Sequence, residues 1–238
     1  MSELKCAVMQ PTYLPWLGYF NLIINSDVFI FLDDVQYTKN SFCSRNRYPS
    51  SAQEGFNWLT IPVRRQNLTQ TFIETKFVNE TNWRKKQLTT LQTVYAKTSN
   101  FKSFFPVIEK VLIDESLENL ADLNIACIKA ICHYLGINKN FHRSSLLNIT
   151  GERSERLLSF CSMFKCNIYL SPAGARTYID EDRILPQSEV KVIYQDFKCK
   201  VYPQKGSKTF QPYMSIIDLL FNVSKEEALT IINEPIIE

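Results

Sequence analysis

The stretch LKCAVMQPTYLPWLGYFNLIINSDVFIFL, residues 4–32, holds two short apolar runs with a longer apolar-rich segment between them. The first run, Leu4 to Met9, predicts an internal strand, and Val28 to Leu32 predicts a second buried strand. Between them, two prolines stiffen the loop from Gln10 to Pro15, and Trp16 to Asn25 predicts a helix. Two buried strands joined by a helix are typical of a parallel, right-handed crossover unit. The sequence therefore predicts an α/β fold.

The rest of the chain continues this alternation of strands and helices. A long polar stretch from Asp33 to about Phe56 shows little periodicity, which is typical of a functional or mobile loop. The elements predicted after it are strands at 57–63 and 71–78, helices at 83–95, 104–113, 116–135 and 154–164, strands at 167–171 and 190–194, and a helix at 215–221. We therefore predict one α/β domain over residues 1–238, with a mostly parallel sheet flanked by helices and a helical insert near residues 80–140.

The composition is that of an ordinary globular protein, with 45% apolar, 13% aromatic and 21% charged residues. These values exclude collagens, coiled coils and disordered chains. The formal net charge of +3 is too small to indicate a nucleic-acid-binding protein. No apolar run is long enough to span a bilayer, and the first residues lack the pattern of a secretion signal. With seven cysteines and no CxxC pair, we expect reduced thiols and a cytoplasmic location.

Three polar clusters directly follow predicted parallel strands. They are residues 10–16, residues 33–39 and residues 171–178. Ligands of open parallel sheets bind beyond the carboxyl ends of the strands. The sequence therefore predicts a small-molecule site built from these three clusters.

The start of the first predicted helix, Trp16-Leu17-Gly18-Tyr19, follows a Pro-Thr loop. This arrangement resembles the nucleotide-binding (HUP) fold of pantothenate synthetases and cytidylyltransferases, in which the helix starts with His-x-Gly-His. Those histidines donate to phosphate oxygens as charge develops, and neither Trp16 nor Tyr19 carries a positive charge. The resemblance implies a nucleotidyltransferase-like first unit with a degenerate motif, in which nucleotide binding remains and nucleotidyl transfer is lost.

Further segments, spread over nearly the whole chain, carry a closer resemblance. The two most specific are QPTYLPWLGYF at 10–20 and FLDDVQY at 31–37, followed by RNR at 45–47, WLTIPV at 58–63, YLS at 169–171 and SIIDLLFN at 215–222. These segments are similar to the WbqC-like family of bacterial surface-polysaccharide gene clusters. The resemblance implies an enzyme of O-antigen assembly in lipopolysaccharide biosynthesis, which adds glycine or another acyl group to an amino sugar.

An acyltransferase of this kind needs a base, because the amine loses a proton as it attacks the acyl carbon. The predicted catalytic residues are Asp33 and Asp34, a pair in which burial or mutual repulsion raises one pKa. One carboxylate then accepts the proton and the other positions the amine. The alternative is that one of them caps a turn or pairs with Arg45 or Arg47.

The predicted substrate-binding residues come from the same clusters. Lys39, Arg45 and Arg47 suit the diphosphate of a sugar nucleotide, since guanidinium pairs with phosphate through two hydrogen bonds; a solvated basic loop is the alternative. Tyr13, Trp16 and Tyr19 carry rings that can stack on a base or a sugar; the alternative is that they are core residues. Gln10 and Gln36 offer both a donor and an acceptor to sugar hydroxyls. The other predicted binding residues are Asn46, Ser171 and Tyr178.

Two single residues leave a functional and a structural interpretation open. Asn124 lies in the apolar stripe of the helix predicted at 116–135, where its amide either binds substrate or holds a neighbouring loop. Cys43 is the only cysteine of the polar stretch, so it is either a covalent nucleophile or an inert thiol.

The sequence leaves the co-substrate open. No HExxH or DxDxDG metal pattern occurs, and an activated acyl donor is either a thioester, including one on an acyl carrier, or an acyl-adenylate. The predicted partner is a dTDP- or UDP-linked amino sugar, with no nucleic acid. The alternatives to an acyltransferase are a nucleotidyltransferase-like enzyme and a non-catalytic sugar-nucleotide-binding scaffold.

Overall fold

A five-stranded, all-parallel sheet forms the centre of the protein, in a computed structural model that describes residues 3–50, 55–205 and 207–236. In chain order the strands are β1 (Lys5–Met9), β2 (Val28–Phe31), β3 (Arg45–Pro49), β4 (Phe56–Thr60), β5 (Asn140–Arg143), β6 (Ile168–Ser171) and β7 (Lys191–Tyr194). The sheet has the order β5-β2-β1-β6-β7, while β3 and β4 form a separate antiparallel hairpin.

The central strand β1 is buried on both of its faces. Cys6 and Val8 pack in a core cluster on one side of the sheet, and Ala7 packs on the other side. Ala7 lies opposite Phe29 of β2 and Leu170 of β6, and all three belong to the same cluster. Successive side chains of a strand alternate between faces, so two buried faces explain why the strand runs are almost continuously apolar.

Helices cover both faces of this sheet. They are α1 (Leu17–Asn25), α2 (Trp83–Tyr95), α3 (Phe101–Leu112), α4 (Leu120–Leu135), α5 (Arg153–Met163), α6 (Arg176–Asp182), α7 (Ile216–Asn222) and α8 (Lys225–Ile232). The larger core cluster joins the sheet to α1–α4, α7 and α8, and the smaller one joins it to α5 and α6. Within the described part of the chain, every helix is too short or too polar to cross a membrane.

The predicted α/β class with a mostly parallel sheet is confirmed, and two details of the prediction are wrong. Residues 71–78 form a turn with isolated bridges instead of a strand, because the Glu74 carboxylate accepts hydrogen bonds from both the backbone and the hydroxyl of Thr71. Helix α4 begins after Asn119, whose side chain accepts from the N–H of Asp122. The hydroxyl of Ser116, the predicted cap, instead donates to Asp114.

Several elements were not predicted from the sequence. Strand β3 lies inside the predicted polar stretch, of which residues 51–54 are outside the described residues, and β5, α6 and α8 add to the predicted set. Helices α2–α4 follow one another between β4 and β5 and pack on the same core as α1. The nucleotidyltransferase-like character of the β1–α1–β2 unit stays a prediction, since parallel pairing of this kind is common to many α/β folds.

Candidate functional site

The topological switch point of the sheet lies beside β1. From β1 the chain proceeds to β2 and β5 on one side, and it then crosses to β6 and β7 on the other. A crevice of about 300 Å³ lies here, beyond the carboxyl ends of β1, β6 and β7. The residues that line it are Met9, Trp16, Gly18, Tyr19, Leu22, residues 172–174 and residues 195–197. This switch-point crevice is where ligands of open parallel sheets bind.

Trp16 forms one wall of the switch-point crevice. Its indole ring packs against Phe197, with ring centroids 5.7 Å apart, and against Tyr213 at 5.6 Å. The ring also covers Gly18, where an added Cβ would lie only 2.2 Å from the indole. A glycine at position 18 is therefore what allows the ring to lie so close to the first turn of α1.

The other two predicted stacking residues are buried, although Tyr19 also contributes to the crevice wall. Tyr13 has no exposed surface and donates its hydroxyl to Gln87 Oε1 at 3.1 Å, while Tyr19 is 1% exposed and donates to the carbonyl of Gln10. Burial raises the pKa of both phenols. Of the three aromatic residues, Trp16 is the one that is only partly buried, and Gln10 is exposed beside this loop.

The loop after β7 completes the crevice, and the sequence prediction did not include it. Gln195 donates to the carbonyl of Gly18 at 2.8 Å and to Asn21 Oδ1 at 2.7 Å, which ties the loop to α1. Asp196 lines the crevice with an exposed carboxylate. This segment directly follows a strand that the sequence did predict, so the rule applied to the other three clusters points to it as well.

Ser171 and Tyr178 follow β6 as predicted, but they differ in position. Ser171 is fully buried next to the crevice, where its hydroxyl donates to the carbonyl of Pro172. Tyr178 belongs to α6, packs against the smaller core cluster and is absent from the crevice walls. Burial raises the pKa of its phenol.

The predicted catalytic pair lies at the same edge of the sheet, between β2 and β5. Asp33 is 0% exposed, and its carboxylate accepts from Arg143 Nε at 2.5 Å and from the backbone and hydroxyl of Ser145 at 3.0 and 2.9 Å. The hydroxyl of Ser144 lies 3.1 Å from the same carboxylate. Arg143 also donates to Asp122 in the first turn of α4, at 2.6 Å. Asp33 thus joins the end of β2 to the segment after β5.

Asp34 is more accessible and is also ion-paired. Its carboxylate accepts from Arg156 of α5, and from the hydroxyl of Ser144 at 2.6 Å. Burial acts to raise the pKa of Asp34, but the Arg156 and Ser144 hydrogen bonds outweigh burial and hold it below its ordinary value. The expectation of a raised pKa is therefore wrong for Asp34. Arg143 and Arg156 are the partners of the pair, in place of Arg45 and Arg47.

Arg45 and Arg47 lie on the β3–β4 hairpin, where alternation places both on one face. The buried Asn46 between them points to the opposite face, and its amide donates to the carbonyls of Tyr13 and Leu14 at 2.9 and 2.7 Å. Asn46 is therefore a structural link between β3 and the loop after β1.

Lys39 and Gln36 lie away from these groups of contacts. Lys39 is exposed, and the amide of the exposed Gln36 donates to the carbonyl of Leu68. Neither residue lines the switch-point crevice. The structure thus brings Trp16, Tyr19 and residues 172–174 together at the crevice. It separates them from the side-chain contacts of Asp33 and Asp34.

For both Asn124 and Cys43, the structure favours the structural interpretation over the functional one. The Asn124 amide donates to the carbonyls of Pro11 and Cys43, both at 2.8 Å, so it holds the loop after β1. Burial raises the pKa of the Cys43 thiol to about 11, which leaves it protonated at neutral pH and weak as a nucleophile. Among the described residues, no group of three His, Cys, Asp or Glu side chains is placed to hold a metal ion.

Comparisons with known proteins find one family model and one relative that cover most of the chain. The model of the WbqC-like protein family matches residues 10–230. The uncharacterized protein Rv1507c of Mycobacterium tuberculosis is 34% identical over 223 residues, which cover 93% of this chain and 95% of that protein. No solved structure matches the chain.

Proposed function

The chain belongs to the WbqC-like protein family, and from that premise we propose that it is an N-acyltransferase of O-antigen biosynthesis. The acyl group is glycyl or another aminoacyl group, and the acceptor is the amino group of a nucleotide-linked sugar. The observation that best supports this proposal is the switch-point crevice, which lies where α/β enzymes bind small molecules and has an aromatic wall.

The crevice suits the sugar part of such a substrate. Trp16 and Phe197 offer apolar ring surface, on which the C–H face of a sugar packs well. Small-molecule sites usually measure about 300–1,000 Å³, so a crevice of about 300 Å³ is at the lower end of that range. A whole sugar nucleotide is larger than this, and its nucleotide half therefore lies outside the crevice.

The carboxylate that we assign as proton acceptor is that of Asp196. In the reaction the amine nitrogen forms a bond to the acyl carbon, the bond to the donor's sulfur or phosphate oxygen breaks, and the proton passes from the amine to a base. Asp196 is the acidic residue among those that line the crevice. Asp33 is saturated by hydrogen bonds and Asp34 has a lowered pKa. Both lie outside the crevice, so these two suit a structural role better than proton transfer.

The test is product formation followed by mass spectrometry. dTDP- and UDP-linked amino sugars are incubated with a glycyl thioester or glycyl-adenylate, and an N-glycyl product is expected. Asp196→Asn is expected to lower kcat by about 10²–10⁴-fold, while Glu181→Gln, which changes an exposed carboxylate of α6, leaves it unchanged. If Asp196→Asn keeps full activity while Asp33→Asn or Asp34→Asn loses it, the catalytic base is Asp33 or Asp34 and not Asp196. No product with any donor would reject acyl transfer.

A non-catalytic sugar-nucleotide-binding protein is the second candidate. It is favoured by the ion pairs of Asp33 and Asp34 and by that of Asp196 with Lys198, because paired carboxylates are typical of structural sites. Such a protein would bind the sugar nucleotide at the same crevice and release no product. Nucleotidyl transfer gains less support, since Trp16 and the buried Tyr19 offer no positive charge at the start of α1.

A further inference from the structure

The β3–β4 hairpin carries two arginines on one face, and we infer that this face binds the diphosphate of a nucleoside diphosphate. We call it the hairpin face, and it consists of Arg45, Arg47, Phe42, Phe56 and Trp58. The inference rests on the proposed function, because it assigns the nucleotide half of the same substrate.

Aromatic rings hold both guanidinium groups in place. The Arg45 guanidinium lies 4.1 Å from the centre of the Trp58 ring. The Arg47 guanidinium lies 4.4 Å from Phe56 and 5.2 Å from both Trp58 and Phe42. Cation–π contacts of this kind fix the plane of a guanidinium without using its N–H donors. The terminal N–H donors therefore stay available to an anion.

Neither arginine has an acidic partner among the described residues. The Nε atoms of Arg45 and Arg47 are buried and have no hydrogen-bond acceptor there. The Nε of Arg156 is also buried without an acceptor, but Arg156 and Arg143, unlike Arg45 and Arg47, are paired with the carboxylates of Asp34 and Asp33. The terminal N–H groups of both arginines also have no acceptor among the described residues, and since they are not among the buried atoms they can pair with a charged acceptor.

The spacing of the two arginines favours a diphosphate. They are two residues apart on one strand, which separates their Cα atoms by about 7 Å and places them on the same face. Each guanidinium can pair with one phosphate through two hydrogen bonds. Phe42 and Phe56, which are 44% and 37% exposed, offer ring surface at the edge of the site for a nucleobase.

Two backbone contacts connect the hairpin face to the switch-point crevice. The carbonyl of Arg47 accepts from the N–H of Ser215 at 3.0 Å, and Ser215 is bridged to Trp16. Each of these pairings separates Cα atoms by about 5 Å, so the Cα atoms of Arg47 and Trp16 are at most about 10 Å apart. One substrate with its sugar beside Trp16 and its diphosphate at Arg47 can therefore reach both positions.

The experiment is isothermal titration of the full chain with UDP, inorganic pyrophosphate and uridine. UDP and pyrophosphate are expected to bind, and Arg45→Gln and Arg47→Gln are each expected to weaken both by at least tenfold and to reduce the salt dependence of binding. Uridine binding is expected to change less than twofold in the same variants. Arg64→Gln is the matched control, because Arg64 is exposed and paired with Glu80.

Unchanged pyrophosphate affinity in both glutamine variants would overturn the inference, and so would a wild type that binds neither UDP nor pyrophosphate. Should a glutamine variant fail to fold, Arg47→Lys keeps the charge over the rings and removes the planar fork, so weaker UDP binding is again expected.

A kinetic arm separates this inference from the proposed function. With a UDP-linked amino sugar, the arginine variants are expected to raise KM with little change in kcat. Acyl transfer with unchanged KM would reject the diphosphate site and keep the acyltransferase. UDP binding that depends on the arginines, together with no acyl product from the wild type, would keep the diphosphate site and reject the acyltransferase.

Discussion

The indole of Trp16 lies over Gly18 so closely that a Cβ at position 18 would sit 2.2 to 2.7 Å from three of its ring atoms. This relationship fixes the ring as a wall of the switch-point crevice, next to Phe197. The side chain that forms the wall and the glycine that admits it are two residues apart, so the first turn of α1 shapes the crevice directly.

Gly18→Ala is therefore expected to push the indole out of its position. Overpacking of this kind costs about 1–3 kcal/mol, and the free energy of unfolding in urea should fall by that amount. The intrinsic tryptophan fluorescence should shift as well. Gly174→Ala, on the opposite wall, is the control because its Cβ would meet no atom within 4 Å. Equal stability of the two variants would contradict the close contact.

Arg143 neutralises a carboxylate that has no exposed surface. Its Nε lies 2.5 Å from Asp33, and its own side chain is 27% exposed. Arg143→Met is expected to lower the free energy of unfolding by about 3 kcal/mol, because it leaves a buried charge without its cation. Arg64→Met breaks an ion pair whose side chains are 56% and 69% exposed, and it should cost less than about 1 kcal/mol.

A second substitution isolates the charge. Asp33→Asn in the Arg143→Met background should recover part of the lost stability, since the amide carries no charge that needs a partner. A double variant less stable than Arg143→Met would mean that packing, and not the ion pair, accounts for the loss. Chemical denaturation of the four proteins measures this cycle.

Asn124 satisfies two backbone carbonyls that no other side chain of the described residues reaches. Asn124→Leu leaves the carbonyls of Pro11 and Cys43 without this donor, at about 1–3 kcal/mol for each unsatisfied group. We expect the melting temperature to fall accordingly. Asn138→Leu, an exposed position just after α4, should change it little. A stable Asn124→Leu variant would show that water replaces the amide.

The sequence predicted the β1–α1–β2 unit because burial on both faces leaves a plain signal, a continuous apolar run. It missed β5 because an edge strand such as Asn140–Arg143 is half polar and has one partner strand. It mispredicted residues 71–78 because their β-branched residues resemble a strand, while a local Thr71–Glu74 turn determines the backbone.

The parts of the candidate site that directly follow strands were predictable from the sequence. The ion pairs between residues far apart in the sequence were not. Trp16 and residues 172–174 follow from the rule for parallel sheets, and residues 195–197 follow from the same rule. The partner of Asp33 is 110 residues away in the chain, and that of Asp34 is 122 residues away. No local pattern indicates such pairings, so the sequence left open whether Arg45 or Arg47 is the ion-pair partner of the two aspartates.

Asp218 of α7 is a buried carboxylate held by neutral donors. It is 1% exposed, and it accepts from the hydroxyls of Tyr95 and Tyr202 at 3.0 and 2.9 Å and from the Gln204 amide at 2.8 Å. Burial raises its pKa to about 6, although these three hydrogen bonds act to lower it. The folded protein therefore favours the protonated form over the pH range in which the unfolded chain is already ionised.

Stability should consequently decrease as pH rises through this range. The unfolded carboxyl has a pKa of 3.8, so the two states bind the same protons below about pH 4 and differ between about pH 4 and 6. The loss is on the order of 3 kcal/mol and is complete above pH 6. Asp218→Asn cannot ionise, so the free energy of unfolding of the wild type minus that of this variant should fall by that amount between pH 4 and 7. A hydrogen bond lost in the variant adds a constant offset and leaves the slope intact. A flat difference for Asp218→Asn would show that its carboxylate titrates normally.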